Sequence, residues 1–201
     1  MSLWLLSEPL VLASKSAVRR AILDCAGIPV EVVPADVDER AIEGATPPGD
    51  PRAVALLLAR AKAAAIASRM PGRLVLGADQ TLALGARRFS KPSDCRQARE
   101  QLLALGGQTH ELHAGLAVAR NQVILYDVAA VARLTMRSLS KNLLDRYLEA
   151  AGDAVTASVG AYQLERVGIH LFERIEGDHF TILGLPLLPL LVFFRREGFV
   201  A

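Results

Sequence analysis

Leu74-Val75-Leu76-Gly77-Ala78-Asp79-Gln80-Thr81-Leu82-Ala83-Leu84-Gly85 is the stretch on which the fold turns. Its apolar triplet, Leu74 to Leu76, predicts a strand buried on both faces, since such a strand shows no alternation. The strand is expected to end at Gly77-Ala78-Asp79, with Gln80 to Leu84 running on extended to a turn at Gly85. Upstream, Asp50 and Pro51 read as the N-cap and first position of a helix that Met70-Pro71-Gly72 stops. Along it Val54, Leu57, Leu58, Ala61 and Ala65 keep the spacing of a core-facing stripe. Downstream, Asp94 and Gln97 are placed as a capping box for a helix from Cys95 to Leu105, which Gly106-Gly107 ends. Further out lie a short buried strand at Leu10 to Ala13 and a helix from Ala17 to Ala26. Ser16 caps that helix, Ala21, Ile22 and Cys25 share one face, and Gly27 follows its end. A strand at Val30 to Val33 comes next. Glu111 to Arg120 and Val123 to Met136 flank Asn121-Gln122 as a long hairpin. A helix from Ser140 to Gly152, a strand from Ile169 to Ile175 and a helix from Pro186 to Glu197 complete the chain. Alternation of strands and helices with one hairpin predicts an α/β fold: a mixed, twisted sheet flanked by helices. One domain over residues 1–201 is expected, with room for two lobes around a cleft.

Composition narrows the function. Hydrophobic residues make up 52% of the 201, which excludes disorder. Only 5% are aromatic, so the apolar content is aliphatic and Ala-rich, suited to helices lying close on strands. Lys plus Arg number 23 against 21 Asp plus Glu, a net charge of +2, which argues against a nucleic-acid coat or a polybasic membrane-surface protein. The basic stripe and exposed aromatics of a nucleic-acid binder are missing too. Cys25 and Cys95 form no CxxC pair, so neither a disulfide scaffold nor a structural zinc site is indicated. The run from Ile182 to Phe194 is broken by Gly184, Pro186 and Pro189 and falls short of the roughly 18 residues a membrane span needs. No basic residue precedes Lys15, and Glu8-Pro9 interrupts the apolar start, so a signal peptide is not indicated either. A cytoplasmic protein is expected.

Any charge-driven chemistry must then come from local clusters. Ser14-Lys15-Ser16 with Arg19 and Arg20 sets hydroxyls and two guanidinium groups at a strand end and a helix N-terminus. Free N–H groups there favour an anion, and an anion would also relieve the misplaced arginines. Asp79, with its polar neighbour Gln80, sits where a buried strand leaves the core, a common place for ligand-facing groups in α/β proteins. Asp36, Asp38 and Glu39 are hard oxygen donors fit for Mg²⁺ beside a phosphate, though an acidic loop by itself is usually solvated. Lys62 flanks the stripe of the long helix, where a single lysine ordinarily snorkels, and Lys91-Pro92 follows the turn after Gly85. Together these groups suit phosphoryl chemistry. His110-Glu111-Leu112-His113 is not HExxH, and three-residue spacing on a strand sets the rings on opposite faces. P-loop, GxGxxG and GxSxG patterns are absent.

LASKSAVRR (Leu12 to Arg20), DVDE (Asp36 to Glu39), ARAKA (Ala59 to Ala63), LGADQT (Leu76 to Thr81), KP (Lys91-Pro92), GAYQLE (Gly160 to Glu165) and GLPL (Gly184 to Leu187) resemble, in order, the motifs of the Maf family of nucleoside triphosphate pyrophosphatases. The resemblance implies an inosine-triphosphatase-like fold and hydrolysis of a nucleoside triphosphate to monophosphate and pyrophosphate. It also implies a divalent metal (Mg²⁺ or Mn²⁺), often a homodimer, and a housecleaning role against non-standard nucleotides, with a link in some members to arrested cell division. Carried over by position, the catalytic carboxylate falls on Asp79. Phosphate contacts fall on Arg19, Arg20, Lys62 and Lys91, to which the hydroxyls of Ser14 and Ser16 are added from the cluster above, and the metal side on Glu39 with Asp79. Gln80 and Glu165, together with Val18, resemble the specificity residues of the branch acting on 7-methyl-GTP. A carboxylate at Glu165 matches the donor-only N1–H and N2–H₂ edge of guanine, and N7 methylation adds a positive charge that it favours. Arg166 stands where that pattern usually has glycine. The alternative is a nucleotide-binding regulator of cell division without turnover. It would need the cations but not Asp79 and Glu39.

Overall fold

The computed structural model describes residues 2–45 and 50–201. Among them, seven strands form one sheet in the order β2-β1-β3-β5-β6-β7, with β4 also on β3. The strands are β1 (Leu10–Leu12), β2 (Val30–Val32), β3 (Val75–Leu84), β4 (Arg87–Phe89), β5 (Thr109–Arg120), β6 (Val123–Met136) and β7 (Phe172–Glu176). β1 runs parallel to β2 and β3, while the remaining pairings are antiparallel, so the sheet is mixed as expected. The helices are α1 (Ala17–Cys25), α2 (Glu39–Ala45), α3 (Pro51–Ala67), α4 (Cys95–Leu105), α5 (Lys141–Ala151), α6 (His179–Ile182) and α7 (Leu187–Arg196), with short 3₁₀ turns between Gly152 and Leu171.

Local signals act as read at several ends. Ser16, Asp50, Asp94 and Ser140 each accept the backbone N–H three residues on. Asn121 and Gln122 both take positive φ, the conformation a two-residue hairpin demands, and β5 and β6 pair on either side. The late strand starts at Phe172 rather than Ile169, because Val167–Leu171 coil into a 3₁₀ turn first.

Three readings are corrected. β3 does not stop at Asp79: it pairs with β5 without interruption from Val75↔Ala119 to Ala83↔Glu111, so Asp79 lies mid-strand. On α1 the buried face is Arg19, Ile22 and Leu23, with Ala21 and Cys25 turned outward. On α3 the buried residues are Val54, Ala55, Leu58, Ala59, Lys62, Ala63, Ile66 and Ala67, a face rotated so that Lys62 is inside it.

That rotation follows from close packing of α3 on the sheet. A Cβ at Gly77 would lie 2.2 Å from the Ala59 carbonyl oxygen, and one at Gly115 would lie 2.5 Å from that of Ala55. Helix backbone therefore rests on strand backbone at two glycines, and alanines line the contact. Two larger apolar clusters flank it. One joins β1, α1 and α7, and the other joins α4, α5 and the far halves of β5 and β6.

Candidate active site

β1 ends opposite Leu76, and β4 begins its pairing at Leu82, so one edge of β3 has no strand partner from Gly77 to Thr81. β1 runs toward this gap from one side, and antiparallel β4 runs toward it from the other. Each leads to cations: β1 through Ser14 to Ser16 into the first turn of α1 with Arg19 and Arg20, and β4 into the loop with Lys91. Asp79 lies in the middle of the gap.

Alternation along β3 divides its polar residues between two faces. Asp79 and Thr81 share the α3 face with Gly77. Thr81 Oγ1 donates to the Pro51 carbonyl at 2.8 Å, which pins the start of α3. Because α3 lies so close at Gly77, Lys62 passes directly over Asp79. Its Nζ is 2.6 Å from Asp79 Oδ1 and 2.7 Å from Glu39 Oε1. Lysine snorkelling is thus not what occurs: one ammonium bridges two carboxylates brought by α2 and β3. The Lys62 and Asp79 side chains keep 11% and 13% exposure, enough shielding to strengthen the charges and enough access for a ligand. Glu39 opens α2, and Asp38 Oδ1 accepts the Ala41 N–H there, so the acidic loop is divided between a capping residue and a charge partner, with Asp36 exposed.

Arg19 comes to the gap from α1 and is buried. Its Nε donates to the Gly184 carbonyl at 2.8 Å, and its Nη1 to Ser14 Oγ at 3.1 Å and the Ala78 carbonyl at 2.8 Å. Burial pushes the guanidinium below its usual pKa, against the opposing pull of Asp79 and Glu39, and an arginine stays charged under such a shift. Nε and Nη1 are committed, which leaves Nη2 to meet a ligand. Arg20 points the other way and pairs with Asp24 at 3.3 Å on the surface. Ser16 accepts the Arg19 N–H as helix cap, and Ser14 Oγ also accepts the Ser16 N–H. Lys15 and Lys91 are exposed.

Gln80 lies on the opposite face of β3, where its Nε2 donates to the Thr181 and Ile182 carbonyls at 3.1 and 2.9 Å. With Arg19 it clamps α6 and the turn after it onto β3. Gly184, at φ 85°, permits the close approach: a Cβ there would lie 3.1 Å from Arg19 Nη2. Sequence reasoning missed this clamp, whose partners are about a hundred residues apart. Val18 is half-buried against the core of β1 and α1, and Glu165 is exposed on a turn after the second 3₁₀ segment. Two surface cavities, of about 270 Å³ and 220 Å³, are lined by other residues, among them Tyr147 and Arg166 in the first and Arg87 and Gln101 in the second. The charge cluster lies in the open edge of the sheet instead.

Asp79 and Glu39 are the kind of donors Mg²⁺ takes in ones or twos alongside phosphate oxygens. Among the described residues no three His, Cys, Asp or Glu gather around one point. The donor set therefore suits a cation completed by a triphosphate rather than one held in an all-protein cage. His110 and His113 lie on opposite faces of β5: His110 Nε2 is 2.7 Å from the Tyr162 hydroxyl, and His113 Nε2 is 3.1 Å from Glu111 Oε2 without hydrogen-bond geometry.

The mixed sheet sandwiched by helices is an α/β fold of the inosine-triphosphatase-like kind, and cations and acids gather at a gap in its edge. A solved HAM1 protein from Coxiella burnetii superposes with a TM-score of 0.53 at 15% identity, over 94% of this chain and 98% of that one. The Maf-like protein family matches residues 9–197, and the chain belongs to it. A nucleoside triphosphate pyrophosphatase of Rhodopseudomonas palustris (strain HaA2) is 55% identical over 201 residues, covering 100% of both chains. One from Bradyrhizobium diazoefficiens is 56% identical over the same length, again covering 100% of both. A 7-methyl-GTP pyrophosphatase of Mesorhizobium japonicum is 50% identical over 195 residues, covering 96% of this chain and 98% of that protein. No helix among the described residues is long and apolar enough to cross a membrane.

Proposed function

We propose that this chain is a nucleoside triphosphate pyrophosphatase that takes a 7-methyl-GTP-like nucleotide to its monophosphate and pyrophosphate. Membership of the Maf family and full-length relatives of that name support the reaction class. The observation that carries the reading is Lys62 Nζ between Asp79 Oδ1 and Glu39 Oε1, beside the buried Arg19 guanidinium. Four charged groups that cancel one another in pairs are poised to be re-partnered by a polyanion.

Arg19 is rigid, so it supplies a fixed positive field and two Nη2 hydrogens to a phosphate oxygen. Lys62 has a flexible stem, so its ammonium turns from the carboxylates to the triphosphate. Ser14, Ser16 and the α1 N-terminus receive a further phosphate oxygen, with Lys91 closing from the surface, while Arg20 would have to leave Asp24 to join them. Asp79, freed of Lys62, takes the proton of the water that attacks at the α–β anhydride, and that bond breaks with pyrophosphate as leaving group. Free water, with a pKa of about 15.7, gives up its proton to a carboxylate only with difficulty. A divalent cation held by Asp79 and Glu39 would supply a more acidic water and spread the charge of the phosphate oxygens. Glu165 reads the base edge, and Gln80 and Val18 complete the set of residues that select the base. In this reading the enzyme acts on free nucleotides in the cytoplasm as a homodimer.

Pyrophosphate release from 7-methyl-GTP, GTP, UTP and dTTP with Mg²⁺ tests the proposal. Release with 7-methyl-GTP ahead is expected, and Asp79→Asn should lower kcat by about 10²–10⁴, the usual loss for a general base. Binding without release would overturn hydrolysis in favour of a regulator. Preference for the pyrimidines would overturn the role of Glu165, and full activity in excess EDTA the role of a metal.

A further inference from the structure

Gly160, Ala161 and Tyr162, the residues leading to Glu165, are each held by a side chain from a different element. The Gly160 N–H donates to Gln101 Oε1 of α4 at 3.2 Å. The Ala161 carbonyl accepts from the Tyr147 hydroxyl of α5 at 2.8 Å. The Tyr162 hydroxyl lies 2.7 Å from His110 Nε2 of β5. His110, Tyr147 and Tyr162 are all buried, and the other ring nitrogen of His110 has no partner. A polar group buried with half its hydrogen-bonding capacity unmet is costly in a core that Leu or Phe could fill, so stability alone does not account for it. The backbone is constrained as well. Gly160 has φ 79°, and Ala161 has φ 62°, a conformation that a residue with a Cβ keeps only where its surroundings over-determine it.

The far side of the turn is equally fixed. The Arg166 N–H donates to the Gln163 carbonyl at 3.2 Å, and Leu164 is buried. Gly168 packs so tightly that a Cβ would lie 2.4 Å from the Gln163 carbonyl oxygen. Glu165 stands exposed between these anchored ends. Gln101 also reaches in a second direction: its Nε2 donates at 2.8 Å to the carbonyl of Ser90, the residue before Lys91. One glutamine therefore ties the segment leading to Glu165 to the loop leading to Lys91.

We propose that Gln101, Tyr147 and His110 are positioning residues for nucleotide selection, which hold the Glu165 turn at a set spacing from the Lys91 loop. The proposal rests on the reading above, in which Glu165 meets the base and Lys91 the phosphates. The length from base edge to phosphate tail is then gauged by contacts on α4, α5 and β5.

Tyr147→Phe and Gln101→Met, alongside Glu165→Gln, test it through the ratio of kcat/KM for 7-methyl-GTP to that for UTP, with thermal midpoints and amide exchange of residues 160–168. Both positioning variants should lower the ratio about fivefold or more, chiefly through KM for 7-methyl-GTP. Exchange in the turn should quicken, and adding Tyr147→Phe to Glu165→Gln should lower the ratio no further. Folded variants that keep the wild-type ratio while Glu165→Gln shifts it would overturn the proposal, as would a drop in thermal midpoint alone. An unmoved ratio in Glu165→Gln would instead overturn the base reading, and the positioning role with it. Should Tyr147→Phe fail to fold, Gln101→Met, at a half-buried position, decides by the same readings.

Discussion

Lys62 is one residue with two partners, and its substitution separates their roles. Lys62→Met keeps the apolar stem but removes the ammonium that bridges Asp79 and Glu39, leaving the more distant Arg19 guanidinium as their positive neighbour. Removing one partner of a largely buried pair strands the other charge, so a stability loss of about 3 kcal/mol is expected, read as a lower denaturation midpoint. Mn²⁺ should relieve that loss in the variant more than in the wild-type chain, because the cation restores the missing positive charge. Equal relief in both would show that the carboxylates do not take it. Arg19→Lys probes the other cation. A point charge cannot span the Gly184, Ser14 and Ala78 oxygens, so KM for the nucleotide should rise about tenfold or more although net charge is kept.

Elements bring these residues together through backbone contact, and two glycines set the distance. Gly77→Ala places a methyl group 2.2 Å from the Ala59 carbonyl oxygen and Gly115→Ala one 2.5 Å from that of Ala55. Each should lower stability by about 1–3 kcal/mol, the range for overpacking, with an unchanged denaturant slope. Activity should fall further than stability, since a lifted α3 carries Lys62 away from Asp79. Here the limits of the sequence are visible. Caps at Ser16, Asp50 and Asp94 and the Asn121-Gln122 turn were legible because each depends on residues within four positions. Burial of Lys62 was not. Leu57 looked like a better core residue on hydrophobicity, and only the fit of Ala55, Ala59 and Ala63 against Gly77 and Gly115 decides which face turns inward. The continuity of β3 was hidden for the same reason: Gly77 and Asp79 weaken a strand locally, and pairing with all of β5 overrides them. Among the candidate site residues, Asp79, Glu39, Lys62, Arg19 and Ser14 are brought together at the gap, whereas Arg20 faces away and Gln80 turns to the opposite face.

Across the whole molecule, two histidines buried on opposite faces of β5 make stability depend on pH. Burial pushes His110 down to about 4, and His113 is lowered as well, by burial against the opposing pull of Glu111 and Asp50. As pH falls below about 6.5 the unfolded chain takes up protons that these folded histidines refuse. Stability should therefore be complete above that pH and decline as pH drops toward 4, and His110→Gln should flatten the decline measured by urea midpoints. A midpoint that is level between pH 7.5 and 4.5 would contradict the burial of His110. The three apolar clusters have different textures, and the thin one beneath α3 is nearly all alanine and valine. Alanine has no side-chain rotamers to trade, so that floor cannot repack when charge arrives above it. In the proposed reaction Lys62 would thus work as an arm with a fixed shoulder: its swing from acid to anion would come from its own four methylenes, and its stride would be limited to what they span.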